Sequence, residues 1–94
     1  MSKFQSVENV KGQYMFYCPG CEEHHLVWTD KDNTPCWNFN GDVENPTVSP
    51  SILVRAPYPD RIRICHSFIR NGKIQFLNDC THKFKGQTVE IPDI

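Results

Sequence analysis

At 94 residues, 38% of them hydrophobic, the chain is sized for one domain spanning residues 1–94 and is too short for a large enzyme architecture. Ten Lys and Arg against eleven Asp and Glu give a net charge of −1, which argues against a strongly polyanion-binding surface, and no apolar run is long enough to span a bilayer. The unusual feature is five cysteines beside four histidines; because the start, Met1 to Ser6, lacks the apolar stretch of a secretory signal, the expected compartment is the reducing cytoplasm, where paired cysteines more readily serve as metal ligands than as disulfides.

In chain order, the aromatic-rich Gln13 to Tyr17 leads into Cys18-Pro-Gly-Cys21, and His25 to Thr29 returns as its partner strand, so an antiparallel hairpin is expected. Asp30 to Asn33 marks a turn, and Cys36 to Asn40 alternates like a half-buried strand ending at Gly41. Asp42 to Pro50 reads as a loop because Pro46 and Pro50 lack backbone donors. Ser51 to Arg55 is again strand-like, followed by a constrained loop from Ala56 to Asp60. Arg61 to Ile69 and Lys73 to Leu77 flank Asn71-Gly72, the pair most suited to a two-residue hairpin turn because both positions accept positive φ. Gln87 to Ile91 supplies a final edge strand before Pro92. No segment has the length and 3.6-residue apolar period of a long helix, so the predicted fold is a small, irregular, all-β or β-rich domain of antiparallel hairpins stabilised by zinc.

The Pro-Gly turn between Cys18 and Cys21 lets two thiolates converge with backbone amides near the sulfurs, a fitting half-site for Zn²⁺. The remaining ligands are sought in Cys65-His66 and Cys80-Thr-His82. The favoured quartet is Cys18, Cys21, Cys65 and His82, with Cys80 as the first replacement for Cys65. Cys65 and His66 are adjacent and should diverge on a strand, and the alternation of Ile62, Ile64, His66 and Phe68 suggests that His66 lies against an apolar face. His66 is read as a core or hydrogen-bonded residue, with ligation or catalysis as the alternative; Asp79 either ends a strand or orients a ligand. His24 and His25 are expected at the surface or supporting the site, with one of them completing the coordination as the alternative, since adjacent strand residues diverge and both cannot enter; Cys36 is expected as a core or inert thiol. In the middle of the chain, Gly41 permits a turn that brings Asn40 beside Thr47, Ser49 or Ser51 as the rim of a polar binding surface, or simply as loop structure.

These residues carry a resemblance. Cys18 to Cys21, Trp37 to Gly41, Asn45 to Ile52, Cys65 to Ile69, Phe76 to His82 and Gly86 to Val89 resemble a family of small phage and bacterial proteins, some labelled ammonia monooxygenase. The resemblance implies a phage or mobile-element setting, with Cys18, Cys21, Cys65, His66, Cys80 and His82 at recurrent polar positions. The oxygenase label implies a membrane bundle, for which this chain has neither the span nor the periodicity.

No zincin, P-loop, dinucleotide or serine-hydrolase elbow motif is present, so sequence assigns no catalytic residue. The leading expectation is a zinc-stabilised accessory protein that binds a host macromolecule, a host protein in particular. A small metal-dependent hydrolase or nuclease using His66 or Asp79 is the alternative. A nucleic-acid-binding module is the third, resting on Arg55, Arg61, Arg63, Arg70, Lys73, Lys83 and Lys85 combined with exposed aromatics, in a half that carries +3 against −4 over residues 1–54.

Overall fold

A computed structural model describes residues 2–30, 36–59 and 61–94. Among them the chain is all-β, in two antiparallel sheets. The first contains β1 (Gln5–Ser6), β2 (Gln13–Cys18) and β3 (Glu23–Trp28) in that order; the second contains β4 (Asn38–Phe39), β5 (Val48–Tyr58), β6 (Arg61–Arg70), β7 (Lys73–Phe76) and β8 (Thr88–Glu90), also in chain order. No helix among the described residues is long and apolar enough to cross a membrane.

The two strongest expectations hold in register. β2 and β3 pair from Gln13↔Trp28 to Cys18↔Glu23, on either side of the Cys-Pro-Gly-Cys turn. β6 and β7 pair from Ser67↔Phe76 to Arg70↔Lys73, with Asn71 and Gly72 at φ of 50° and 77° in the connecting turn. β8 forms the edge after β7, as its position before Pro92 suggests. The expected turn from Asp30 to Asn33 falls largely outside the described residues, and only Asn38 and Phe39 of the expected Cys36 to Asn40 strand pair in a sheet.

β5 departs from the sequence reading. It begins at Val48, inside the segment read as a loop, and runs through Ala56 and Pro57, also read as loop. Prolines are accommodated because neither is asked to donate to β6. Pro50 sits in a bulge, where pairing jumps from Val48↔Ile69 to Ile52↔Ser67, leaving Ser49, Pro50 and Ser51 opposite Phe68 alone. Asn40 bridges the loop before β5, accepting hydrogen bonds at Oδ1 from the Asp42 and Thr47 amides at 3.1 and 3.2 Å.

The core lies between the sheets. Phe4, Phe16, Cys18 and Val27 meet Ile52, Cys65, Ile69, Ile74 and Phe76, and the Phe4 and Phe16 rings stack at 5.4 Å. On β6 the buried positions are Cys65, Ser67 and Ile69, so Ile62, Ile64, His66 and Phe68 form the outer face, with Ile62 exposed. The apolar alternation that suggested a core-facing His66 belongs to the wrong face. Parity is set by the hairpin turn: Ile69 pairs with Ile74, both are fully buried, and every second residue before Ile69 follows it inward.

Candidate functional site

Two constellations sit back to back on β6. On the inner face, the Sγ atoms of Cys18, Cys21 and Cys65 and a ring nitrogen of His25 all lie within 4.8 Å of one another. Cys18 closes β2, Cys21 ends the turn, His25 is carried inward on β3 opposite Phe16, and Cys65 comes from the facing sheet. The turn is shaped around sulfur: the Cys21 amide donates to Cys18 Sγ at 3.4 Å, and Arg63 ties the turn to β6 by donating to the Cys21 carbonyl at 3.0 Å and to Glu23 at 2.8 Å.

This group fits a metal ion on two geometric observations. The Cys18 and Cys65 sulfurs are 3.8 Å apart, far beyond a disulfide bond and close to the roughly 3.8 Å edge of a tetrahedron with metal–sulfur bonds of about 2.3 Å. His25 Nε2 is buried with no hydrogen-bond partner, an expensive state for an imidazole unless something binds it. Charge is also pulled into the cluster. Hydrogen bonding from Cys18 and then Cys65 drives the Cys21 thiol far below its ordinary pKa, while hydrogen bonding with Cys18 and then Cys21 drives Cys65 far above it; burial opposes charging His25, yet the adjacent Cys18 and Cys21 sulfurs lift it to about 9.

A second group, Cys65, Cys80 and His82, also falls within 4.8 Å and shares Cys65 with the first. The structure therefore brings together all five expected ligands, Cys18, Cys21, Cys65, Cys80 and His82, in two overlapping groups, with His25 in the compact quartet where His82 was expected. His82 packs edge-on to Phe76 at 4.4 Å and against Gly20, where a Cβ would meet the ring at 2.3 Å. Its Nδ1 accepts the Phe84 amide at 3.3 Å, and its Nε2, like that of His25, is buried without a hydrogen-bond partner. Cys80 faces the β6 backbone: its sulfur accepts from the His66 amide and donates to the His66 carbonyl, both at 3.2 Å. Cys36 is half-buried and belongs to neither group; His24 is exposed against Tyr17.

The outer face carries different chemistry. Ser51 Oγ lies 3.0 Å from His66 Nε2, and His66 Nδ1 lies 3.0 Å from Asp79 Oδ2. An ionised Asp79 only accepts, so Nδ1 bears the proton and Nε2 accepts from the Ser51 hydroxyl. Each member is placed by local pairing. Leu53 pairs with His66, which puts Ser51, two residues earlier on the same strand face, beside the imidazole once the bulge has re-aimed it. Asp79 is brought alongside by the segment after β7, which is fastened to β6 by Leu77 N to His66 O at 2.9 Å, Thr81 N to Ile64 O at 2.9 Å and Ile64 N to Thr81 Oγ1 at 3.0 Å. Beyond Phe68 on this face lies a shallow groove of about 270 Å³ lined by Arg70, Asn71, Lys73, Gln75 and Thr88.

Sequence reasoning considered His66, Asp79 and Ser51 separately and missed their conjunction. The clue available was alternation: if Cys65 ligates inward, His66 points outward, and Asp79 bears the same relation to Cys80.

No curated protein and no solved structure matches the chain. Neither the phage setting, the monooxygenase label nor binding of a host macromolecule finds support in the comparisons. One family model, described as bacterial ubiquitination-like system serine protease (BubE), matches residues 2–77, which include both Ser51 and His66. The chain belongs to the BubE family.

Proposed function

We propose that the chain is a serine peptidase of a bacterial ubiquitination-like system, with Ser51 as nucleophile, His66 as general base and then acid, and Asp79 holding the imidazole in its reactive tautomer. The observation that carries this reading is the continuous pair of 3.0 Å contacts, Ser51 to His66 and His66 to Asp79. In the first half-reaction, Ser51 Oγ attacks the substrate carbonyl as its proton passes to His66 Nε2; His66 then gives that proton to the departing amine. In the second, His66 takes a proton from water as its oxygen attacks the acyl carbonyl; the bond to Ser51 Oγ then breaks, Ser51 recovers the proton from His66, and the acid product is released. Asp79 stabilises the imidazolium in both steps without becoming protonated.

The inner cluster serves structure. Cys18, Cys21, His25 and Cys65 supply the four donors of a closed zinc site, which leaves no coordination position for water, and thiolates with imidazole suit Zn²⁺. When bound, the ion clamps the first sheet to β6 and supplies folding energy to a domain with a small core. The reading is supported by the geometry of the two groups and by the family description.

The test is covalent. A fluorophosphonate should add once per chain, at Ser51 by peptide mapping, and Ser51→Ala should abolish the adduct while the thermal melt is retained. Labelling at another serine, or undiminished labelling of S51A, would exclude this triad.

A further inference from the structure

We infer that the open edge of β5 at Leu53 and Arg55 holds an extended stretch of polypeptide substrate as an added strand, delivering its scissile bond to Ser51 at the closed end of that lane. This rests on the peptidase reading above and names how that site takes its substrate.

The edge is only partly covered. β4 pairs with Val48 and Ser49; from Ile52 to Pro57, β5 pairs with β6 and, among the described residues, with nothing on its other side. Which peptide groups face that side follows from β6. The amide and carbonyl of His66 bond to Cys80 Sγ and to the Leu77 amide, and those of Ile64 bond to Thr81. All four groups therefore point away from β5. The pairs Leu53↔His66 and Arg55↔Ile64 are then non-hydrogen-bonded pairs, and the N–H and C=O of Leu53 and Arg55 point outward from the open edge.

Two further residues agree with this parity. Pro57, two residues after Arg55, has no N–H to offer and is tolerated where a strand faces outward. Ser51, two residues before Leu53, turns its carbonyl to the same edge, where Trp37 Nε1 donates to it at 3.3 Å. The indole thus blocks the lane at the nucleophile, and β4 occupies the edge beyond it. From Leu53 onward the lane is open. Two outward donors and two outward acceptors, spaced by two residues, match an added strand at about 3.3 to 3.4 Å per residue. The Leu53 side chain, 52% exposed, lies on the same face as Ser51 and His66, beside any side chain that the added strand presents. Arg55 and Pro57 guard the far end of this edge, whereas next to Ser51 stands an exposed leucine whose peptide groups are, among the described residues, unpaired.

The experiment compares rates of Ser51 labelling in the full chain by a simple alkyl fluorophosphonate and by a pool of mixed-sequence tripeptidyl fluorophosphonates. The peptidyl pool should label about tenfold faster or more, because each main-chain hydrogen bond contributes a factor of roughly 2 to 10. N-methylation of the probe backbone at the pairing position, which leaves the protein untouched, should remove that advantage. Leu53→Pro, which deletes one outward N–H, should also lower the ratio of peptidyl to alkyl labelling. Equal labelling by both probes, or indifference to N-methylation, would overturn the inference while leaving the triad standing. Absence of alkyl labelling would remove the peptidase reading and this inference with it. A concentration-dependent dimer abolished by L53P would assign the edge to a second copy of the chain and overturn the inference.

Discussion

Cys65 and His66 are consecutive residues with opposite surroundings. Cys65 is buried among three other soft donors between the sheets, whereas His66 is partly exposed on the outer face between Ser51 and Asp79. The same division recurs one segment later, where Asp79 faces the imidazole and Cys80 faces inward. Strand alternation lets one stretch of backbone serve both purposes. It also links them: whatever fixes Cys65 fixes the peptide that carries His66, so a 94-residue chain with a thin core gains rigidity where the proposed reaction would need it.

The sharpest way to break this pairing is from the inside. Replacing Cys65 by serine, or chelating the metal, should cost both faces together. Structural zinc contributes about 10 to 16 kcal/mol of apparent binding free energy, as much as the whole stability of a typical domain. C65S should therefore lose stoichiometric metal by elemental analysis, lose its cooperative thermal transition by circular dichroism, and hydrolyse nothing. A chelated protein that keeps its melt and its Ser51 labelling would separate the two faces and refute the coupling.

Attack from the outside should be one-sided. Ser51→Ala should reduce hydrolysis by about 10⁶-fold, as nucleophile loss does in serine peptidases, with metal content unchanged and the melt shifted by less than about 1 kcal/mol because Ser51 is only partly buried. Asp79→Asn should be milder. An amide at that position favours the wrong imidazole tautomer, and kcat should fall by about 10² to 10⁴ with little change in KM. Equal kcat in D79N and the native chain would remove Asp79 from the triad.

How much of this was legible beforehand follows the range of the interactions. Both hairpins were readable because their turns are local: Asn71-Gly72 accepts positive φ, and Cys18-Pro-Gly-Cys21 joins two aromatic or β-branched runs. β5 was not readable end to end, because Pro50 and Pro57 break a strand only if their missing N–H is needed, and that depends on which side β6 lies. The three sulfurs of the compact quartet were readable from residue type alone. His25 was discounted because it follows His24, although alternation sends one of that pair inward and Val27, buried on the same face, says which. The Ser51–His66–Asp79 contacts were hidden for a different reason. Ser51 and His66 meet through a bulge, and Asp79 through side-chain bonds of Thr81, neither of which leaves a motif in the sequence.

Cys80 joins the two faces, and the smallest predicted effect is the one that best distinguishes its roles. Burial raises its thiol pKa, which keeps the S–H available to donate to the His66 carbonyl while the sulfur accepts the His66 amide. A serine at 80 can make the same two contacts. Cys80→Ser should thus retain one metal per chain, stay within about 1 kcal/mol of native stability, and lose only a few-fold in kcat, whereas Cys80→Ala leaves the His66 amide unpaired at a cost of about 1 to 3 kcal/mol. The ranking of the two variants is the decisive measurement. A ligand has to be a thiolate, and neither serine nor alanine replaces one, so if Cys80 held the metal both variants would lose it alike. Serine close to native with alanine impaired assigns Cys80 to the peptide that carries His66.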